Sequence, residues 1–293
     1  MHDVFFFTDI HGRWNLYNTL IEYCKHQDPE CTIIFGGDAC DRGPDGYKIM
    51  KHLLSDPQII YLKGNHEQLF VAAAKDLKAR FQFPDLSNKE HIIKRLQTTK
   101  SMPDRYPDIM LSVYNGGDDT LADWIIDGMP MDLVEAIDNL PLTFSYENYD
   151  FCHAGAGYKT FESAAQDEYT GRKVSYIVEQ ALLWDRSAWD IGWKTGRICV
   201  HGHTPTVCLP AKIYGKDKSE LKIHPCCWIG DFYSDKEEWQ GLRIDMDTGA
   251  TFAGRAYVLN VLTQNVIGFY DPSVQKQEGE ITMFEQYKIT SHN

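Results

Sequence analysis

The sequence predicts an α/β protein built on parallel strands, and three features carry that prediction. Five apolar runs of strand length, 4–7, 32–35, 59–62, 149–152 and 198–200, each end in a short motif of glycine, acid and histidine. The first two are followed by helical spacing, Leu16, Leu20, Ile21 and Tyr23 after one, and Tyr47, Met50, Leu53 and Leu54 after the other. A hydrophobic share of 43% in 293 residues is enough to bury a sizeable core.

In chain order, the run 4–7 leads into Thr8-Asp9-Ile10-His11-Gly12, and the run 32–35 into Gly37-Asp38-Ala39-Cys40-Asp41-Arg42-Gly43. Pro44 then suits the first turn of the second helix, where its missing N–H costs nothing. The run 59–62 leads into Gly64-Asn65-His66-Glu67. Strand, glycine turn and helix in repetition imply parallel pairing, with the functional loops at the carboxyl ends of the strands.

From 68 to 140 that rhythm is interrupted by a helical insertion or lid. Its stretch 75–105 carries eight Lys/Arg against four Asp/Glu. This reads either as a solvated helical face or as a lid that attracts an anion. Asn115-Gly116-Gly117-Asp118 is a turn, and helical spacing resumes over 121–126. The strand rhythm returns with His153-Ala154-Gly155, Trp184-Asp185-Arg186 and His201-Gly202-His203-Thr204. Beyond about residue 211 the pattern changes, and 241–245 and 256–261 read as an antiparallel tail, with a second sheet stacked on the first. The expected organisation is one domain over 1–293, with insertions at 68–140 and 208–240.

A net charge of −13 argues against a nucleic-acid-binding face over the whole protein, so no stable nucleic-acid partner is expected. Eight cysteines without CxxC pairs read as reduced thiols. The amino terminus lacks the basic and apolar regions of a signal peptide, and no run approaches the roughly 20 apolar residues of a membrane helix. The expectation is a soluble, cytoplasmic monomer with no membrane partner. Gly155-Ala156-Gly157 lacks the rest of a dinucleotide fingerprint, there is no Gly-x-Ser-x-Gly elbow, and His224-Pro225-Cys226-Cys227 has poor zinc spacing.

Imidazole nitrogen and carboxylate oxygen together suit divalent transition metals, and a two-metal site needs a shared ligand. Asp9 and His11 stand two apart, so strand alternation would aim both to one side. Asp38 is the natural bridging carboxylate, Asn65 offers an amide oxygen, and His153 and His203 complete the second position, with His201 as competitor to His203. Arg42 and Arg186 offer guanidinium forks that match phosphate oxygens. Water between the cations would attack phosphorus, and His66, oriented by Asp41, would protonate the leaving oxygen. Glu67 reads as an orienter of its loop. Cys40, between Asp38 and Asp41, is a candidate for thiol sensitivity.

These residues resemble the metallophosphoesterase superfamily, and within it the PPP phosphoprotein phosphatases, through D-x-H-G, G-D-x-x-D-R-G, G-N-H-E, H-A-G in place of H-G-G, and G-H-T. The order of Asn115-Gly116-Gly117, Leu140-Pro141-Leu142, the Trp-Asp-Arg stretch, Gly202-His203-Thr204-Pro205 and Asp247-Thr248-Gly249-Ala250 is similar to the bacteriophage lambda-type and bacterial members. The resemblance implies a four-layer α/β/β/α sandwich, two divalent metal ions (Mn, Fe or Zn), and hydrolysis of phosphoserine and phosphothreonine in a phosphorylated protein or peptide. It implies metal ligands at Asp9, His11, Asp38, Asn65, His153 and His203. The general acid falls on His66 with Asp41 behind it, and phosphate contacts fall on Arg42, Arg186 and Asn65. Thr8 departs from the usual Gly before the first Asp. A second enzyme reading is a hydrolase of diadenosine-tetraphosphatase type acting on dinucleotide polyphosphates. A nuclease is disfavoured by Pro205 where G-H-x-H would carry its last His, and a scaffold without catalysis by the intact Asp41, Arg42 and His66.

Overall fold

Strands that are apolar on both faces need cover on both sides, and the fold supplies it in four layers. The computed structural model describes residues 2–80, 88–187, 193–194, 196–206, 228–233, 239–271 and 283–288. Three parallel strands, β1 (Val4–Phe7), β2 (Thr32–Phe35) and β3 (Ile59–Tyr61), form one half of the first sheet. Antiparallel β9 (Arg255–Asn260), β10 (Asn265–Tyr270) and β11 (Met283–Lys288) extend it beyond β1, in the order β11-β10-β9-β1-β2-β3. The second sheet runs β4 (Thr143–Tyr146), β5 (Tyr149–Cys152), β6 (Ile198–His201), β8 (Trp239–Asp245) and β7 (Trp228–Tyr233), with β5, β6 and β8 parallel.

Alternation along β1 divides the core. Phe5 and Phe7 face the helical side, with Ile33 and Phe35 of β2. Val4, Phe6 and Ile34 face the second sheet, where Phe151, Val200 and Ile244 meet them. Phe6 stacks on Phe151 between the sheets at 5.4 Å. The outer face of the first sheet carries α1 (Trp14–Gln27) and α2 (Gly46–Ser55), whose buried stripes are Leu16, Leu20, Ile21, Cys24 and Ile49, Met50, Leu53. The outer face of the second sheet carries α8 (Tyr158–Tyr169) and α9 (Tyr176–Trp184), through Phe161, Ala164, Leu182 and Leu183.

Two strand assignments differ from the sequence reading. The segments 241–245 and 256–261 do not form one antiparallel tail: β8 joins the second sheet, parallel to β6, and β9 joins the first beside β1. The connection through α10 (Ala250–Ala253) crosses from one layer to the other, which hydropathy alone does not encode. The strand β4 also follows Leu140-Pro141-Leu142 where no strand was expected, because it is an edge strand with an exposed position at Ser145.

Between β3 and β4 lie α3 (Asn65–Arg80), α4 (Lys89–Gln97), α5 (Pro107–Tyr114), α6 (Asp118–Ile126) and α7 (Met131–Asp138). The expected insertion boundary at 68 falls inside α3. These helices share the core of the first sheet's outer face, with Trp124 fully buried edge-on to Phe70 at 6.0 Å. Trp124→Ala is expected to cost about 3–5 kcal/mol through lost burial and the cavity left behind, read as a lower urea midpoint. Much of the basic charge here is spent locally. Lys75 pairs with Asp138, Arg80 with Asp76, Lys89 with Asp119 and Asp123, and Lys94 with Glu90. That favours the solvated-face reading of the stretch 75–105. Most of 208–240, including His224-Pro225-Cys226-Cys227, lies outside the described residues.

Lys25 of α1 reaches Asp56, at the end of α2, at 2.6 Å. Burial alone would raise the Asp56 carboxyl, but the Lys25 ammonium and the Gln58 amide outweigh it and hold it below the usual range. An acid held low in the fold stabilises above its unfolded value near ~3.9 and loses that contribution as pH falls through the folded value. Asp56→Asn should therefore flatten the acid limb of a melting-temperature profile below about pH 4. Among the described residues, no helix is long and apolar enough to cross a membrane.

Candidate functional site

The carboxyl ends of β1, β2, β3, β5 and β6 open onto one edge, where loops of unusual backbone converge. Asp9, His11, Asp38, Asp41, Arg42 and His203 all have left-handed φ, from 47° to 71°. Such a conformation is costly for residues with a side chain and persists where surrounding contacts impose it, often at functional sites. Strand alternation is therefore not what aims Asp9 and His11: β1 ends at Phe7, and φ values of 57° and 47° turn both residues inward. The amides of Asp9, His11 and Gly12 donate to Gly37, Asp38 and Ala39 carbonyls at 3.1, 3.0 and 2.8 Å, which locks the two loops together.

Asp38 lies at the centre. Its Oδ2 is 3.5 Å from His11 Nε2 and 3.8 Å from His66 Nε2, and its Oδ1 is 3.4 Å from His153 Nε2. The Asn65 side-chain oxygen faces His153 Nε2 at 2.9 Å and His203 Nδ1 at 3.0 Å. Asp9 accepts the His203 amide at 3.1 Å and the Thr8 hydroxyl at 2.6 Å. Asp9, His11, Asp38, Asn65, His66, His153 and His203 are all buried. Among the described residues, two groups have ligand atoms close enough to hold a metal ion, His11 with Asp38 and His66, and Asp38 with His153 and His203. His201 lies outside both, its Nδ1 turned to the Gly202 carbonyl at 3.1 Å.

The donor set fits divalent cations. His11 Nδ1 donates to the Cys40 carbonyl at 2.9 Å and His153 Nδ1 to the Gly36 carbonyl at 2.9 Å, which leaves each Nε2 lone pair directed inward. Burial keeps these imidazoles neutral, His153 down at about 3 and His11 well below its usual value. Burial first, then a neighbouring carboxylate (Asp247 beside Asp9, Asp9 and Glu67 beside Asp38), drives the Asp9 and Asp38 carboxyls well above theirs. Neutral imidazoles and crowded carboxylates in a dry pocket are the environment that a cation stabilises.

Beside this cluster, His66 Nδ1 donates to Asp41 Oδ2 at 2.8 Å, both groups buried. The Arg42 guanidinium donates to His11 Nε2 and to His66 Nε2, each at 2.9 Å. Arg186 donates to the His203 carbonyl at 3.2 Å and the Thr204 hydroxyl at 3.3 Å, and so lines the same edge. Trp184 meets the His203 ring edge-on and donates to Gln68 at 2.9 Å.

Glu67 holds the loops from below: its carboxylate accepts the amides of Asp38, Ala39 and Gly64 and the Tyr61 hydroxyl, each at 2.8 Å. Gly64 is required there, because a Cβ would land on the Asp38 and Glu67 carboxylates. Two supports escaped sequence reasoning. The Asp41 amide donates to the Thr120 hydroxyl at 3.0 Å, and the Arg42 amide to the Gly116 carbonyl at 2.8 Å. The segment between β3 and β4 thus holds the strained Asp41-Arg42 turn, and the Asn115-Gly116-Gly117 turn was its one sequence signal.

Cys40 is fully buried, and burial first, then the Asp41, Glu67 and Asp38 carboxylates, push its thiol well up. A thiol held protonated is a poor nucleophile, so thiol sensitivity at Cys40 is not supported by its surroundings. Cys40→Ser and the parent are expected to lose activity to peroxide at equal rates.

The profile of the calcineurin-like phosphoesterase family matches residues 2–232. The symmetrical bis(5'-nucleosyl)-tetraphosphatase of Buchnera aphidicola subsp. Acyrthosiphon pisum (strain 5A) is 31% identical over 75 residues, 25% of this chain and 27% of that protein. The chain therefore matches only about a quarter of the length of such curated relatives. A metallophosphoesterase from Sphaerobacter thermophilus superposes with a TM-score of 0.45 at 12% identity, over 98% of this chain and 88% of that one. A protein serine/threonine phosphatase from Saccharomyces cerevisiae superposes with a TM-score of 0.44 at 13% identity, over 100% and 81%. With a matching profile over most of its length, and buried His/Asp groups that could hold divalent metal where its strands end, the chain belongs to the calcineurin-like phosphoesterase family.

Proposed function

We propose that this phosphoesterase hydrolyses phosphomonoesters of PPP type, with phosphoserine and phosphothreonine in proteins as the substrate class. The observation that carries this reading is the Asp41–His66 pair beside Asp38, with the Arg42 fork across His11 and His66. In this reading Asp9, His11, Asp38, Asn65, His153 and His203 hold two divalent cations, Mn, Fe or Zn. Those cations would supply charge neutralisation and a water of lowered pKa.

The remaining chemistry belongs to the chain itself. Asp41 accepts from His66 Nδ1, which fixes the ring and leaves Nε2 facing the cleft to carry a proton to the leaving oxygen. Arg42 offers two parallel N–H groups to phosphate oxygens in place of the imidazoles they touch here. Arg186, held at the same edge by the His203 carbonyl and the Thr204 hydroxyl, would add a second phosphate contact, and Asn65 would serve both cation and phosphate. Thr120 and Gly116, within the proposed insertion 68–140, keep Asp41 and Arg42 in their turn.

A second reading, hydrolysis of dinucleotide polyphosphates, is favoured by the local likeness to the symmetrical tetraphosphatase. Mn-loaded protein assayed with p-nitrophenyl phosphate, phosphoserine and phosphothreonine peptides, and diadenosine tetraphosphate tests both. Turnover of the peptides with kcat/KM at least tenfold above the dinucleotide is expected; the reverse order overturns the first reading in favour of the second.

A further inference from the structure

One motif of the cleft edge has no part in the chemistry above: Asp247-Thr248-Gly249. Asp245 pairs with His201 in the parallel register of β6 and β8, so Asp247 and His203 occupy equivalent stations, each two residues past the end of its strand. Asp9 holds that same station past the end of β1. Three strands thus deliver a side chain from the corresponding position, and two of those side chains already belong to the cluster.

The Asp247 loop is tied in place. Thr206, three residues past His203, donates its amide to the Asp247 carbonyl at 2.8 Å. The Asp247 amide donates to Asp245 Oδ1 at 2.9 Å, and Gly249, at a φ of 78°, donates its amide to Asp247 Oδ1 at 3.0 Å. The carboxylate is 97% shielded from solvent, its relative exposure being 3%, and its charge is felt by Asp9. Burial raises its carboxyl to about 6 against the opposing pull of the Gly249 amide, Arg42, Arg186 and His66, so those groups lie within its field.

We propose that Asp247 is a positioning residue for the divalent cation held by Asp9 and His11, supplying that position with negative charge from the end of β8. The inference rests on the metal-ligand reading above, in which a cation adds to Arg42 in offsetting the charge of the buried Asp247 and Asp9 carboxylates. A cation would balance both, and the hydrogen-bonded loop holds Asp247 in place to do so.

Isothermal titration of the metal-free protein with MnCl2 tests this, using Asp247→Asn, which keeps an acceptor for the Gly249 amide, and the melting temperature of each metal-free protein as a check on folding. Asp247→Ser is the second variant, because a hydroxyl keeps that acceptor in a shorter form. The parent is expected to bind two equivalents. In the variants one equivalent keeps its parental affinity while the other weakens by about 10-fold or more, the scale on which partners outside the ligand set affect metal affinity. Turnover of p-nitrophenyl phosphate by the variants should recover as Mn2+ is raised. Two equivalents bound with parental affinity by a folded variant overturn the role of Asp247 alone. A parent that takes up no Mn2+ overturns the metal reading beneath it.

Discussion

Replacing His66 by Asn is expected to lower kcat by about 10²–10⁴-fold, the range that one positioned proton donor contributes. The loss should depend on the leaving group. A serine alkoxide is strongly basic and needs a proton as the bond breaks, whereas p-nitrophenolate leaves almost unaided. His66→Asn should therefore cost far more on a phosphoserine peptide than on p-nitrophenyl phosphate, with KM and bound manganese close to parental values. Manganese should stay because His66, though within ligand reach of His11 and Asp38, is engaged by Asp41 and Arg42, while all six residues proposed as ligands are intact. Equal losses on both substrates would remove the general-acid role and leave His66 as a contact of Arg42.

Asp38→Asn should have a different pattern, because the Asp38 carboxylate lies within 3.8 Å of His11, His66 and His153 together. Losing its charge removes the shared carboxylate of both candidate metal groups. Activity on every substrate should fall by more than the about 10–100-fold that an outer partner of a metal ligand costs, with bound manganese well below the parent's by elemental analysis. A ligand that binds only the folded state raises stability in proportion to its affinity. Added Mn2+ should accordingly raise the melting temperature of the parent and leave that of Asp38→Asn nearly unchanged. A variant that keeps two bound metals would show that Asp38 does not bridge them.

Much of this architecture is legible residue by residue. The run Val4-Phe5-Phe6-Phe7 is apolar throughout because its two faces are covered by different layers, helices for Phe5 and Phe7 and a second sheet for Val4 and Phe6. Five such runs, each ending in a motif, were enough to indicate parallel strands and a common functional edge. The edge strand at Thr143–Tyr146 was not legible, since an edge strand needs no continuous hydrophobic run. Nor was the parting of 241–245 from 256–261 into different sheets, because strand partners are chosen by neighbours far away in the chain.

At the site the division is sharper. Sequence alone determined which chemical groups stand at the strand ends, from Asp9 and His11 to His203, since each motif follows directly on an apolar run of strand length. Only the tertiary structure decided how they point. Left-handed turns at Asp9, Asp38 and Asp41 carry a local energetic cost, so no propensity calls for them. They are imposed by contacts between distant segments: Arg42 with Gly116, Asp41 with Thr120, Asp9 with His203, and Glu67 under two loops at once. The same holds for the imidazole tautomers, which depend on the Cys40 and Gly36 carbonyls brought against His11 and His153 by folding.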